Sequence, residues 1–227
     1  MDFKIYKLLI NSSILSLPGI LSIFFSLISI PVHLNIAGVE NYGNYIIFHF
    51  LLIISSIFNL GIGKSIAISI NNEPKKNKEI SYQGIRYTLI IIFISLLLLI
   101  ILFYFNQLSF ISKLISNELI YYLFIGIVLS ILYSSLEGIF QGNQKFRLLS
   151  LFNFIFFSLS LSFPSLILLI NASLSLKELI IFSLIIKFFS IILMISLIVF
   201  KNLISKSNDQ VLSPAVRKIV AENKINL

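Results

Sequence analysis

The chain contains no cysteine, which excludes disulfides, thiol nucleophiles and Cys-ligated metals. It has only two histidines, His33 and His49, and their separation matches no metal-ligand spacing. Charge is scarce as well: 11% of residues are charged, against about 25% in an ordinary soluble domain. No nucleophile–base pair, metal cluster or phosphate-binding loop can be assembled from the motifs, so the chain does not read as an enzyme, and no cofactor or metal is expected.

What fills the space is apolar. Of 227 residues, 58% are hydrophobic, and the mean hydropathy is +1.02. A water-soluble fold has too little interior to hide that much apolar surface, so the implied solvent is lipid. The expectation is an all-α, polytopic membrane helix bundle. The net charge of +8 could suggest nucleic acid. The basic residues, however, fall between apolar runs and not on one soluble face, so membrane topology explains them better and no nucleic-acid partner is expected.

A membrane-spanning helix needs about 20 mostly apolar residues. Six runs qualify, near 9–31, 44–66, 85–105, 119–140, 148–170 and 178–200. The first is preceded by Lys4 and Lys7, is too long for a signal-peptide core and lacks a small-residue cleavage site, so it reads as a retained helix. Polar segments such as Asn71–Tyr82 and Gly142–Arg147 separate the runs. With the N-terminus inside, 14 of the 17 basic residues are cytoplasmic, two (Lys113 and Lys177) are outside, and Lys187 lies within the sixth span. That bias places both termini in the cytoplasm. Pro18 and Pro164 should kink the first and fifth spans, although proline is also simply commoner in membrane helices.

Beyond Lys201 the composition becomes soluble. Residues 201–227 read as a cytoplasmic tail, with a short helix opening at Ser213 as N-cap and Pro214 at N1.

Three patches stand out in the apolar region. One is Gly38-Val-Glu-Asn-Tyr-Gly-Asn-Tyr45, a second is Phe58-Asn-Leu-Gly-Ile-Gly63, and the third is Leu136-Glu-Gly-Ile-Phe-Gln-Gly-Asn-Gln-Lys-Phe146. In this order residues 1–200 resemble the N-terminal half of the polysaccharide flippases, the O-antigen and teichoic-acid exporters of the multidrug/oligosaccharidyl-lipid/polysaccharide superfamily. The resemblance implies movement of a lipid-linked oligosaccharide across the bacterial inner membrane by alternating access, in a cavity between two six-helix lobes. Only one lobe is present, so the opposite wall would come from a second copy of the chain as a homodimer, or from a second lobe. The alternative is a truncated or fused membrane protein without transport activity.

A pyrophosphate-bearing cargo needs cations and hydrogen-bond donors at membrane depth. Lys187 is the foremost candidate, roughly 13 Å below the outer end of its span at 1.5 Å per residue. It reads either as a cavity cation or as a lysine that snorkels to the interface. Asn11, Asn59 and Asn153 line the cavity or bond between helices, the latter being the safer reading. Glu137 couples to a proton or cation, or pairs with Lys145 or Arg147. His33 and His49 fall near the outer interface and read as structural. Gly138 and Gly142 form a G-x-x-x-G pair that permits close helix approach.

The tail carries a second resemblance. Val211-Leu-Ser-Pro-Ala-Val-Arg-Lys-Ile-Val-Ala-Glu-Asn-Lys-Ile-Asn226 resembles the first helix of the peripheral-subunit-binding domain of 2-oxo acid dehydrogenase acyltransferases. That implies Arg217 and Lys218 as basic contacts to a partner such as dihydrolipoyl dehydrogenase. No second helix or glycine-rich loop follows, so a fused remnant and a chance basic helix stand beside the binding reading.

Overall fold

The computed structural model describes the backbone of residues 3–54, 59, 61–104 and 117–211, with side chains described at 13–14, 16–54, 59, 61–101 and 119–200. Among the described residues the fold is all-helical, without strands. The helices are α1 (Phe3–Ile54), α2 (Ile62–Asn72), α3 (Asn77–Tyr104), α4 (Asn117–Gly142), α5 (Phe146–Asn153), α6 (Ser160–Ile167) and α7 (Leu176–Val211). A π-helical segment, Phe154–Leu159, joins α5 to α6 without a break. Where water is absent, a backbone must bond to itself, and long helices of Ile, Leu and Phe do this. Five stretches are long and apolar enough to cross a membrane: Ser16–Ile54, Pro74–Ile101, Leu119–Gly142, Phe146–Ile167 and Leu176–Phe200.

The first two expected spans form one helical stretch, α1, interrupted only at Gly38 (φ 85°, ψ 166°). That conformation is open to glycine and disfavoured for other residues. The 39 residues from Ser16 to Ile54 are therefore two span segments meeting at Gly38. The expected second span, 44–66, needs correcting. The described part of α1 reaches Ile54, and a separate helix starts at Ile62 after Gly61, which is left-handed at φ 73°. The apolar run hid this break, because hydropathy continues through Gly61 and Gly63 into Ile66 and Ile70.

Prolines 18 and 31 lie within α1, yet the backbone stays helical through both. Proline 18 has no N–H for the carbonyl of Ile14, and the Ser150 hydroxyl of α5 donates to that oxygen at 2.7 Å. Proline 164 likewise leaves the Ser160 carbonyl without its helical donor. The Tyr45 hydroxyl of α1 reaches that oxygen at 3.4 Å and the neighbouring Leu161 carbonyl at 2.9 Å. Neighbouring helices thus absorb both prolines by side-chain donation.

The chain divides into two compact units, Met1–Ile191 and Ile192–Leu227. Within the first, α2 crosses α4 at very short range. A Cβ added to Gly138 would overlap the Gly63 carbonyl, and one added to Gly142 would sit 2.8 Å from Ile70 Cβ. This is the close approach that the G-x-x-x-G pair permits. Asn77, opening α3, and Asn143, after α4, tie the ends of this layer through their amides at 2.5 Å. Helix α1 packs along α5, the π segment and α6. Helix α7 opens on a capping box: the Ser175 backbone N–H and hydroxyl both donate to Glu178, at 2.7 and 2.8 Å. The outward faces are apolar, with Ile20, Phe24, Phe93, Ile94 and Phe188 among the exposed side chains.

In the second unit, α7 continues as helix to Val211. The expected helix at Ser213–Pro214, with Arg217 and Lys218, lies outside the described residues, as do the side chains of Asn11 and Lys113.

Candidate functional site

The polar centre of the first unit is a seam where α1 meets the π segment, α6 and α7. Its cation is Lys187, only 4% exposed. Lys187 Nζ donates to the Phe156 carbonyl at 3.2 Å and lies 4.3 Å from the centroid of the Phe156 ring and 5.7 Å from that of Phe157. The π segment makes this possible. A π turn has i→i+5 bonding and disturbs the regular carbonyl pattern at its own residues, and Phe156 is one of them. Its carbonyl also accepts the Ser160 hydroxyl at 2.5 Å. Two aromatic faces and a carbonyl dipole, which favour an ammonium, surround the buried Lys187 amine, and no carboxylate contacts it among the described residues. Lys187 therefore does not snorkel; it is turned into the helix packing.

Around Lys187 the seam is a ladder of rings and hydroxyls. Tyr45 stands against His49, with ring centroids 4.6 Å apart, and against His33 at 5.2 Å. Tyr42 meets His33 edge-on at 5.2 Å. His33 Nδ1 is 2.8 Å from the Ser165 hydroxyl of α6. On α7, Ser183, Lys187 and Ser190 recur at the i, i+4, i+7 spacing that shares one face, and all three are buried. Both histidines are buried as well. A sequence signal was available: His33, Tyr45 and His49 sit in strongly apolar surroundings, where an unaccompanied imidazole would be disfavoured. What could not be read was the partner set, because α6 and α7 are more than a hundred residues away.

A second polar cluster lies where α4 meets α5. The Tyr133 hydroxyl donates to Asn153 Oδ1 at 2.5 Å, and Glu137 interacts with both Asn153 and Tyr133. These two neighbours share the cluster with Glu137. Arg147 is exposed in the first turn of α5, and Glu137 is half-buried. Asn153 bonds between helices, in line with the safer reading. The clusters are linked, because Tyr133 stacks on Phe156 with ring centroids 3.8 Å apart. Asn59 sits in the break before α2 with its Oδ1 buried and without a hydrogen-bond partner. No contact joins it to Lys187 among the described residues. No group of three or more metal-ligating side chains occurs among them either.

Comparison with known protein families, with curated proteins and with solved structures returned no match to this chain.

Proposed function

We propose that this chain is a multi-pass protein of the bacterial inner membrane, with both termini in the cytoplasm, that serves as one lobe of a flippase for lipid-linked oligosaccharides. The observation that carries the reading is Lys187. An ammonium at the middle of a span is disfavoured by about 2.5–3.5 kcal/mol on insertion scales, and such a residue faces a functional interior far more often than lipid. Here a carbonyl and two rings hold the cation, and among the described residues no carboxylate neutralises it. Its charge therefore stays available to an anion. The cargo of such a flippase carries a pyrophosphate, and carbonyl and ring contacts of this kind exchange readily for a phosphate oxygen. Gly38 and Gly61 divide the first lengths of the chain into segments that can reorient about single residues. The opposite wall of the cavity comes from a second lobe, either another copy of the chain or a further polypeptide segment.

The test is complementation of a flippase-deficient strain, with the protein's presence in the membrane verified. Restored surface polysaccharide, lost again on Lys187→Met, supports the reading. Failure to restore polymer, alone or co-expressed with a second lobe, contradicts it.

A further inference from the structure

Several buried or half-buried hydroxyls donate to a backbone carbonyl, within their own helix or, as at Ser150 and Ser158, on a neighbouring one. Thr88 donates to the Gly84 carbonyl at 2.8 Å, Ser130 to Gly126 at 2.9 Å and Ser135 to Leu132 at 2.9 Å. This is the ordinary way for an apolar helix to accommodate serine or threonine. Three hydroxyls break the pattern: Ser162, Ser183 and Ser190 are each at least 99% buried, yet their Oγ atoms have no hydrogen-bond partner. Ser183 only faces the Tyr45 hydroxyl without forming a proper bond. The Nε2 atoms of His33 and His49 are buried and unpartnered as well. These five atoms belong to α1, α6 and α7, the helices of the Lys187 seam.

Buried polar groups are almost always bonded to protein or to water. A lone orphan is an accident of packing; these five, with Asn41 Oδ1 of α1 as a sixth, lie on the helices that supply the Lys187 seam, where Lys187 has one carbonyl partner among the described residues, and together they call for a common occupant. Water bonded to two or more polar groups meets that demand. Beside an ammonium with no carboxylate neutralising it, water is readily exchanged for an anion. We infer that the seam between α1, α6 and α7 is a hydrated path inside the lobe, and that it admits a small oxyanion as far as Lys187. The other charged or titratable groups facing it are His33, Tyr42, Tyr45 and His49 from α1; α6 contributes only hydroxyls and carbonyls. Tyr133 of α4 lies behind the Phe156 ring, with Glu137 as its neighbour. The role of such a path rests on the proposed transport function, whereas its existence does not.

Because the chain has no native cysteine, single cysteines can be read without background. Ser162→Cys, Ser183→Cys and Ser190→Cys are placed separately in the full chain, in membrane vesicles opened to reagent on both faces. Ile185→Cys and Phe189→Cys, on the outward face of α7 at 54% and 57% exposure, serve as lipid-facing controls. Each is treated with an anionic sulfonate-bearing methanethiosulfonate and with its cationic trimethylammonium counterpart. The path predicts that the three seam cysteines react at least about tenfold faster than the controls, and that the anionic reagent is preferred at Ser183→Cys and Ser190→Cys by about tenfold. Lys187→Met should abolish that preference and Lys187→Arg retain it. Seam cysteines no more reactive than the lipid-facing pair would overturn the path. Equal rates for the two reagents, or a preference that survives Lys187→Met, would overturn the anion assignment. The labelling needs no cargo, so its outcome is separate from success or failure of complementation.

Discussion

The crossing of α2 with α4 and the seam of α1 with α6 and α7 lie in the same chain and draw on the same small set of residues, yet they are built in opposite ways. At the crossing, Gly63, Gly138 and Gly142 remove side chains so that backbones touch. Little polar is left over there, and the Asn77–Asn143 pair closes the layer at one end. At the seam, serines, tyrosine, histidines and a lysine fill the interval, and several of their polar atoms stay unpaired. Between apolar helices there is no hydrophobic drive to associate, so either close packing or interhelical hydrogen bonding must supply the attraction. The first solution gives a rigid pair. The second leaves charge and donors in an apolar surround, which is a property a site can use.

The two solutions predict different responses to mutation. The largest effect belongs to the crossing. Gly138→Leu forces a branched side chain into the Gly63 backbone, where no flexible group can give way. Overpacking of this kind costs about 3 kcal/mol or more. Thermal unfolding in detergent should show a large fall in Tm or loss of folded protein; an unchanged Tm would mean that the helices do not cross there.

A smaller and more specific effect belongs to the α1–α5 contact beside the seam. Ser150→Ala uncovers the Ile14 carbonyl that Pro18 leaves without a helical donor. A bond of this type is worth about 0.6 kcal/mol on average between membrane helices. In a Pro18→Ala background the amide of residue 18 takes over that carbonyl, and Ser150→Ala should then cost almost nothing. A double-mutant cycle on the unfolding free energy tests this. Independent, additive effects would show that the hydroxyl does not compensate for the proline.

The comparison also shows what the sequence made legible. Apolar run length revealed the helical class and most span positions, because lipid leaves a backbone few alternatives. The G-x-x-x-G pair at Gly138 and Gly142 announced the crossing, since glycine at helical spacing has few other uses. The break at Gly61 was hidden, because the same glycine fits a helix end, a bend or a packing contact. The π segment at Phe154–Leu159 has no residue signature in its six apolar and serine positions. Lys187 was visible as a charge out of place. Its partners were not: a backbone carbonyl and two rings on another helix have no marking in the sequence. The donors beside the prolines were not legible for the same reason, since Ser150 and Tyr45 lie far away along the chain.

The most direct test of the account is the movement of a pyrophosphate-linked oligosaccharide lipid across proteoliposomes that contain the full chain together with whatever second lobe is needed to complete the cavity. Wild type should move the lipid. Lys187→Met should slow it by about tenfold, the equivalent of roughly 1.4 kcal/mol of lost interaction, while Ser150→Ala stays within about twofold of wild type because a bond worth about 0.6 kcal/mol is all that it removes. Equal flux for Lys187→Met and wild type would contradict the claim that the buried lysine meets the cargo.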